Sequence, residues 1–456
     1  MKKQIILLAV AALTLSSCGI YTKYEPATEV PEDLFGEKVI TTIDSLDNIG
    51  NLNWRELFTD PQLQKLIENG LQNNTDLQVA QLRVEQAGAN LKAAKLAYLP
   101  SFNLDLQGTV SSFDNSKATQ TYSLPVAASW EIDVFGRLTN AKGQARASHL
   151  QSQEYRQAVQ CQLIAGIANT YYTLLMLDTQ LAIAESTEQS WKNTVEATRA
   201  LKDAGQTTEA GVSQIEATYY NICNSILDLK EQLNATENSM SLLLAETPHT
   251  IERGKMEGQV LPVSLSVGIP MEMLANRPDV RSAEYALEQA FYGTNMARSA
   301  FYPSIVLGGN AGWTNSAGGM ITNPGKFLAS AVGSITQPLF NRGQLNAQLR
   351  IAKAQQEEAE LSFHQTLLNA GSEVNNAIVQ YQTAQEKSVN FDKQVNALSR
   401  ALESTTLLMQ YGDVNYLEVL TAQQSLLNAQ LTQVANRFTE TQSVINLYQA
   451  LGGGRN

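Results

Sequence analysis

The chain reads DLQVAQLRVEQAGANLKAAKLAYLPS at residues 76–101 and DVRSAEYALEQAFYGTNMARSAFYPS at residues 279–304. The two stretches align without a gap and share an initial aspartate, a central Glu-Gln-Ala triplet and a final Pro-Ser pair. Three later pairs continue the correspondence: Phe135 with Phe340, Arg137 with Arg342, and Gly205 with Gly412. A period of about 200 residues is far too long for a solenoid, so the pattern indicates duplication of a whole structural unit.

Each half contains two segments that alternate apolar and polar residues, the pattern of a β-strand. The alternation extends over more than about ten residues, which is long enough for a tilted membrane-spanning strand. A soluble hairpin packed on a core is the alternative. The apolar positions of one segment in each half are Tyr122, Leu124, Val126, Ala128, Trp130, Ile132 and Val134, and Ile305, Leu307, Gly309, Ala311 and Trp313. A further strand is predicted over residues 327–339.

Very long helices are predicted over residues 138–202 and 344–411, which contain no proline and little glycine. At 1.5 Å per residue each helix would be on the order of 100 Å long. A second helix follows each of them with apolar residues at alternating steps of three and four, a spacing that predicts left-handed coiled-coil packing. In the first half these positions include Val212, Ile215, Ile222, Ile226, Leu233 and Met240. A soluble coiled-coil bundle or a filament is the alternative.

The N-terminus has the pattern of a secretion signal. Lys2 and Lys3 precede a short apolar run, and Leu15-Ser16-Ser17-Cys18 resembles a bacterial lipobox. That resemblance implies cleavage before Cys18 and lipid attachment to it, and the absence of aspartate after Cys18 favours the outer membrane. The alternative is an ordinary signal peptide with an incidental cysteine. Cys161 and Cys223 are interpreted as small buried residues, with a disulfide left open.

Composition argues against several classes of function. The net charge is -12, whereas nucleic-acid binding needs a basic face. The three histidines do not have a metal-ligand spacing, and no glycine-rich phosphate loop follows a predicted strand. We therefore expect no enzyme and assign no catalytic, cofactor-binding or metal-binding residue. A structural lipoprotein or adhesin without a pore remains a rival interpretation.

The strand count has a consequence for assembly. Four strands per chain cannot close a barrel, because the minimum is about eight. Open sheet edges are not tolerated in lipid, so a membrane-spanning sheet would have to be shared between chains. Two chains would give eight strands with a filled interior, and three would give twelve strands with a pore.

Two longer motifs carry a family resemblance. Residues 269–284 read IPMEMLANRPDVRSAE and residues 411–424 read YGDVNYLEVLTAQQ. They resemble the signature between the halves and the helical-hairpin turn of the TolC-like outer membrane factors, particularly the lipidated efflux (NodT/OprM-type) branch. The resemblance implies an α+β membrane protein, built as a trimer with a twelve-stranded outer-membrane β-barrel, four strands per chain. The barrel would be continuous with a long periplasmic α-helical coiled-coil barrel made from two internal repeats.

This resemblance also implies a domain division. We expect a signal peptide at 1–17, an N-terminal equatorial segment at 18–60 and a first repeat at 61–246, with its β-hairpin at 102–134 and its tip near 203–209. An equatorial linker at 247–275, a second repeat at 276–451 and a tail at 452–456 would follow, with a β-hairpin at 304–339 and a tip near 411–416.

The function implied by the resemblance is that of a passive exit duct in a tripartite efflux system, with type I protein secretion as the alternative. The partners would be two further copies, a periplasmic membrane-fusion adaptor and an inner-membrane pump of the resistance-nodulation-division type. No cofactor is expected beyond the lipid on Cys18. The tips end the longest helices, so Gly205, Thr207, Gly412, Val414 and Asn415 are expected to dock the adaptor. A simple helix-capping role is the alternative for such a glycine.

A gate is the last feature implied by the resemblance. In the family, acidic residues just past the second turn form a ring at the periplasmic constriction. Glu418 occupies the first of these positions and Thr421 the second, so one acidic ring is missing in this sequence. Three Glu418 carboxylates brought together would repel one another, so either their pKa values rise or a cation sits between them. The alternative is a solvated residue on the helix surface.

Overall fold

The computed structural model describes residues 21, 23–25, 49–114, 116–259, 277–314, 326–411 and 416–455. The predicted lipidation residue Cys18 lies outside these ranges, as do the tip residues Gly412, Val414 and Asn415. Of the residues assigned to a function from the sequence, Gly205, Thr207, Glu418 and Thr421 are described.

Long helices account for most of the described chain. The two longest have 67 residues each, about 100 Å at 1.5 Å per residue. No helix among the described residues is both long enough and apolar enough to cross a membrane. The α-helices are α1 (Trp54–Leu57), α2 (Pro61–Asn73), α3 (Thr75–Leu96), α4 (Arg137–Asp203), α5 (Glu209–Leu243), α6 (Pro278–Ser299), α7 (Gln344–Gln410) and α8 (Tyr416–Ala450).

One antiparallel sheet contains all the described strands, which are β1 (Ser101–Leu104), β2 (Gln107–Ser111), β3 (Thr119–Ile132), β4 (Ser304–Thr314) and β5 (Lys326–Thr336). Both β1 and β2 pair with β3, which pairs with β4, which pairs with β5. Leu104 lies opposite Val126 and Gln107 opposite Ser123, so β1 and β2 keep one register. They are one strand, interrupted opposite Pro125, which has no N–H to donate to the ladder. The sheet therefore has four strand positions.

Gly312 of β4 lies opposite Pro125, on the side of β3 away from β1 and β2. A Cβ atom on Gly312 would lie 2.2 Å from the backbone oxygen of Leu124 and 2.4 Å from the Cα atom of Pro125. Because both neighbours are backbone atoms, they cannot move aside as a flexible side chain could. Only glycine fits at this position, and β4 approaches β3 closely there.

The sheet is amphipathic, because alternate residues point to opposite faces. On one face the register brings together Leu124 with Trp313, Trp130 with Leu307, and Ile305 with Ile335. The other face pairs Ser123 with Thr314 and Asn310 with Ser330. Nearly every residue of β1, β2 and β5 is exposed to solvent in the single chain. One whole apolar face is therefore left uncovered.

The structure forms two compact units. The sheet unit comprises Leu82–Glu154 and Arg281–Thr366 together with the described residues near the N-terminus. The helical unit comprises the described residues of ranges 30–81, 155–280 and 367–456. Each unit therefore draws on both halves of the sequence, so the structural units do not coincide with the internal repeats.

Apolar side chains from distant parts of the sequence fill the core of the helical unit. Its fully buried residues include Trp54, Leu63, Ile67, Ile164, Ile167, Tyr171, Leu174 and Tyr448. The Tyr448 hydroxyl donates to the backbone oxygen of Leu52 at 2.9 Å, and the Phe58 and Tyr448 rings meet edge to face. Residues 52–58 and the end of α8 are thus joined in one core.

Candidate functional site

The turn between α4 and α5 has the geometry of a Schellman cap. The Gly205 amide donates to the Lys202 carbonyl at 2.8 Å, and the Gln206 amide donates to the Leu201 carbonyl at 2.9 Å. Gly205 has a φ of 74°, in the left-handed region that favours glycine. No atom lies within 4 Å of where its Cβ would be, so the turn is open to solvent. The cap accounts for the glycine, and the docking role of Gly205 stays a prediction.

The same turn starts α5 with a conventional N-cap. The Thr208 hydroxyl accepts a hydrogen bond from the Gly211 amide at 3.2 Å, while the half-buried Thr207 lies just before it. Two exposed ion pairs join the arms below the turn, Lys202 with Glu209, and Arg199 with Glu216 at 2.7 Å. Exposed ion pairs stabilise little individually. They do keep basic side chains of α4 paired rather than free at the tip.

At the second tip, predicted near residues 411–416, the structure describes Tyr411 and then α8 from Tyr416 onward. Glu418 lies in its first turn and is exposed, and Thr421 is also exposed. Between them, Val419 and Leu420 are 4% and 5% exposed. Residues three apart share a helix face, so the carboxylate and the hydroxyl lie together on the outer face of α8. Whether that face lines a constriction stays a prediction.

A helix–helix core lies at the level of this first turn. It combines three side chains of α4, three of α5, and Leu420 and Leu427 of α8. The α5 members Ile215, Ile222 and Ile226 are among the heptad positions identified in the sequence. Three of the predicted heptad positions of α5 are therefore buried against α4 and α8, and the exposed Glu418 and Thr421 lie away from this core.

Arg277 belongs to the motif at residues 269–284, and the structure shows partners for it that the sequence did not reveal. Its side chain is 6% exposed and forms a two-pronged interaction with Asp279, through Nε at 3.0 Å and Nη2 at 2.7 Å. The same Nη2 donates to Glu373 of α7 at 2.6 Å, and Nη1 donates to the Ala450 carbonyl at 2.7 Å. Arg277 therefore connects the start of α6 with α7 and the end of α8.

Pro278 and Asp279 occupy the first turn of α6, where a proline and an acidic residue are favourable. Burial disfavours the Asp279 carboxylate, but the hydrogen bonds and charge of Arg277 outweigh burial and hold its pKa below the usual value. The Arg-Pro-Asp element thus starts a helix and also fixes the end of another one. The contacts of Arg277 with Ala450 and Glu373 join residues more than 90 positions apart in the sequence, which no local pattern predicts.

Another polar network surrounds the start of α2. The Asp60 carboxylate accepts hydrogen bonds from the Gln62 amide at 2.8 Å, the Tyr171 hydroxyl at 2.5 Å and the Gln259 amide group at 2.7 Å. Nearby, Arg253 donates to Asp178 at 2.5 Å and to Glu237 at 2.6 Å. These contacts hold the segment before residue 260 against α4 and α5.

The cysteines and the potential metal ligands bear on two predictions made from the sequence. Cys161 is buried and Cys223 is partly buried, and both are free thiols. Burial raises the pKa of Cys161 to about 11, so it stays protonated at neutral pH. Within the described ranges, no group of three or more His, Cys, Asp or Glu residues is placed to hold a metal ion.

Two tyrosines near the N-terminus pack on the sheet unit. The Tyr21 hydroxyl donates to the Phe135 carbonyl, and the Phe135 ring stacks on Tyr302 with centroids 5.2 Å apart. The Tyr24 ring meets Phe291 of α6 edge to face at 5.5 Å. These contacts position the chain three residues after Cys18.

Comparison with known proteins shows strong similarity along the whole chain. The profile of the outer membrane efflux protein family matches residues 66–246 and 269–453. The cation efflux system protein CusC of Escherichia coli O6:H1 is 29% identical over 447 residues, covering 97% of each chain. The probable outer membrane lipoprotein SilC of Salmonella typhimurium is 28% identical over 435 residues, covering 94% of each. A crystal structure of CusC, described with transmembrane channel formation, has a TM-score of 0.86 and 28% identity, covering 96% of this chain and 100% of that one.

Proposed function

This chain belongs to the outer membrane efflux protein family, and we propose that three copies of it form the exit duct of a tripartite efflux system. The resemblance inferred from the sequence is confirmed, and the protein is an outer-membrane efflux component rather than a protein-secretion component. The trimer, the duct and its contacts are the proposal.

The amphipathic sheet is the observation that carries the proposal. One face presents large apolar side chains such as Trp130, Leu307 and Trp313, which suit a lipid environment. The outer edges of β1/β2 and of β5 pair with no other strand within the described residues. Unpaired edges are not tolerated in lipid, so they must pair between copies. Three copies give twelve strand positions, which leave a pore, whereas two copies would give eight and a filled interior.

The helices suit the periplasmic part of the same assembly. Three copies of α4, α5, α7 and α8 would supply twelve helices for a tunnel of about 100 Å. Many apolar side chains of α7 are exposed in the single chain, among them Ile351, Leu361 and Val389. We propose that neighbouring copies cover them, because isolated chains rarely leave so much apolar surface in water.

We further propose that lipid on Cys18 anchors the protein. Tyr21 lies three residues later and is bonded to Phe135, just after the end of β3. The linker between the lipid and the sheet unit would then span only about 10 Å. In this arrangement the acyl chains enter the bilayer beside the strands, and no further cofactor is needed.

The tips and the gate complete the proposal. The turns at Gly205 and Gly412 would dock a periplasmic adaptor that connects to a pump of the resistance-nodulation-division type. The exposed turn at Gly205 presents small contacts, so affinity would depend on several contacts acting together. Glu418 and Thr421 would line the resting constriction. The cargo would be small molecules, in keeping with relatives such as CusC, a cation efflux protein by name.

Native mass spectrometry in detergent and single-channel recording together test the duct. We expect three subunits per particle and an open conductance after reconstitution. Substituting Gly312→Val, whose side chain would collide with the β3 backbone, should abolish conductance. Gly108→Val, where no neighbour lies within 4 Å, is the matched control and should conduct normally. A conducting monomer or dimer of the wild-type chain would refute the trimeric duct.

A further inference from the structure

A cavity of about 440 Å³ lies inside the helical unit. It is bounded by α4, the segment after Arg253, α7 and α8, and Tyr172, Met256, Glu257, Tyr381, Arg437 and Glu440 contribute to its lining. Cavities of roughly 300–1,000 Å³ are the size that holds small organic ligands. None of the contacts assigned above to the duct, the tips or the gate involves this cavity.

The cavity carries more negative than positive charge. Glu440 is partly buried, and among the described residues it forms no ion pair within 4 Å. Arg437 also lines the cavity, but its guanidinium is directed to Asp392 at 3.9 Å. Glu257 adds a second carboxylate at the rim. A carboxylate held partly away from water without a partner attracts a cation.

The cavity wall is aromatic as well as acidic. Tyr172 is 2% exposed and Tyr381 is half-buried, and burial together with the charge of Glu440 raises the pKa of Tyr381. The Tyr381 hydroxyl already accepts a hydrogen bond from Gln385 at 2.7 Å, which fixes its position. Met256 contributes a polarizable thioether. Aromatic faces attract cations with diffuse charge, whereas hard metal ions require several oxygen ligands.

We propose that this cavity binds a small organic cation of the quaternary ammonium class, with Glu440 supplying the counter-charge and Tyr381 and Tyr172 the aromatic wall. A metal ion fits less well, because within the described ranges no group of three potential ligands surrounds one point. An anion fits less well, because Arg437 is the one basic residue of the lining and is directed elsewhere. This site goes beyond the exit duct and does not depend on it.

Calorimetric titration of the purified full-length protein with choline tests the proposal. The neutral isostere 3,3-dimethyl-1-butanol has the same shape without the charge, so it separates cation recognition from hydrophobic filling. Choline should bind the wild-type protein at least about tenfold more tightly than the isostere. Equal binding of the two, or no binding of choline up to the highest soluble concentration, would overturn the proposal even without any variant.

Two variants assign the binding to these residues. Glu440→Gln removes the counter-charge while keeping the shape, and Tyr381→Leu removes the ring; each should weaken choline about tenfold. Glu386→Gln removes an exposed carboxylate from the same helix as Tyr381, outside the cavity lining, and should bind choline like the wild type. Equal losses in all three variants, or none in Glu440→Gln, would show that binding lies elsewhere. Conductance of Glu440→Gln should be normal, so a failure of choline to bind the wild-type protein would count against the cation site without counting against the proposed duct.

Discussion

The most informative perturbation is Arg277→Met, which keeps the apolar stem of the side chain and removes the guanidinium. The change leaves the Ala450 carbonyl without its donor and the Asp279 carboxylate without its two-pronged partner. Asp279 is 44% exposed and Glu373 is 57% exposed, so water compensates part of both losses. The buried carbonyl has no such compensation. We expect a loss of about 3 kcal/mol of local stability.

Hydrogen exchange of the last turn of α8 measures this loss directly. The amides of Leu451, Gly452 and Gly453 donate within this turn. If they exchange through local opening, about 3 kcal/mol corresponds to an acceleration of roughly 100-fold. Arg400→Met removes an exposed arginine of α7 that has one long backbone contact and is the control. If the hydrogen-exchange rates of these amides in Arg277→Met stay within about threefold of the wild-type rates, Arg277 does not hold the end of α8.

Four further outcomes are expected. Acidification should loosen the contact between Arg277 and Asp279. Because the pKa of Asp279 is lowered in the folded state, the stability that this carboxylate contributes is complete above about pH 5 and is lost as the pH falls through the lowered pKa. Hydrogen exchange in the last turn of α8 should therefore accelerate only at acid pH. Cys18→Ala should abolish acylation, and the intact mass of the mature wild-type protein should contain the lipid; a free Cys18 there would contradict the anchor. Gly412→Trp should abolish efflux in cells while native mass spectrometry still shows trimers, and unchanged efflux would exclude docking at that tip. Glu418→Ala should reduce cation selectivity and divalent block in planar bilayers, and unchanged values would place Glu418 away from the pore.

The alternating and heptad patterns predicted the elements that depend on local spacing. Trp130, Leu307 and Trp313 share one face of the sheet because side-chain direction follows the strand period. Ile222 and Met240 are buried because the heptad spacing places them on one stripe of α5. Such features follow from the order of residues along one element and need no knowledge of distant partners.

Features that depend on distant partners were not predicted. The helix α3 ends at Leu96, and two residues later the Tyr98 carbonyl accepts a hydrogen bond from the Trp130 indole at 2.8 Å. The break between β1 and β2 arises from Pro125 on the neighbouring strand. In each case the contacting residue lies at least about 20 positions away, so periodicity within the segment does not reveal the contact.

The hydrogen bond between Tyr448 and Leu52 has a consequence for how the polypeptide matures. It joins residues 396 positions apart, and the amide groups of Gln157 and Gln160 likewise hold the Gly454 carbonyl. A chain that emerges from its N-terminus cannot close this core until nearly all of it has appeared. Contacts of such long sequence separation form slowly and leave apolar surface exposed meanwhile. During export, the early part of the helical unit must therefore wait for the last helix, and its apolar surface is prone to aggregation throughout that interval.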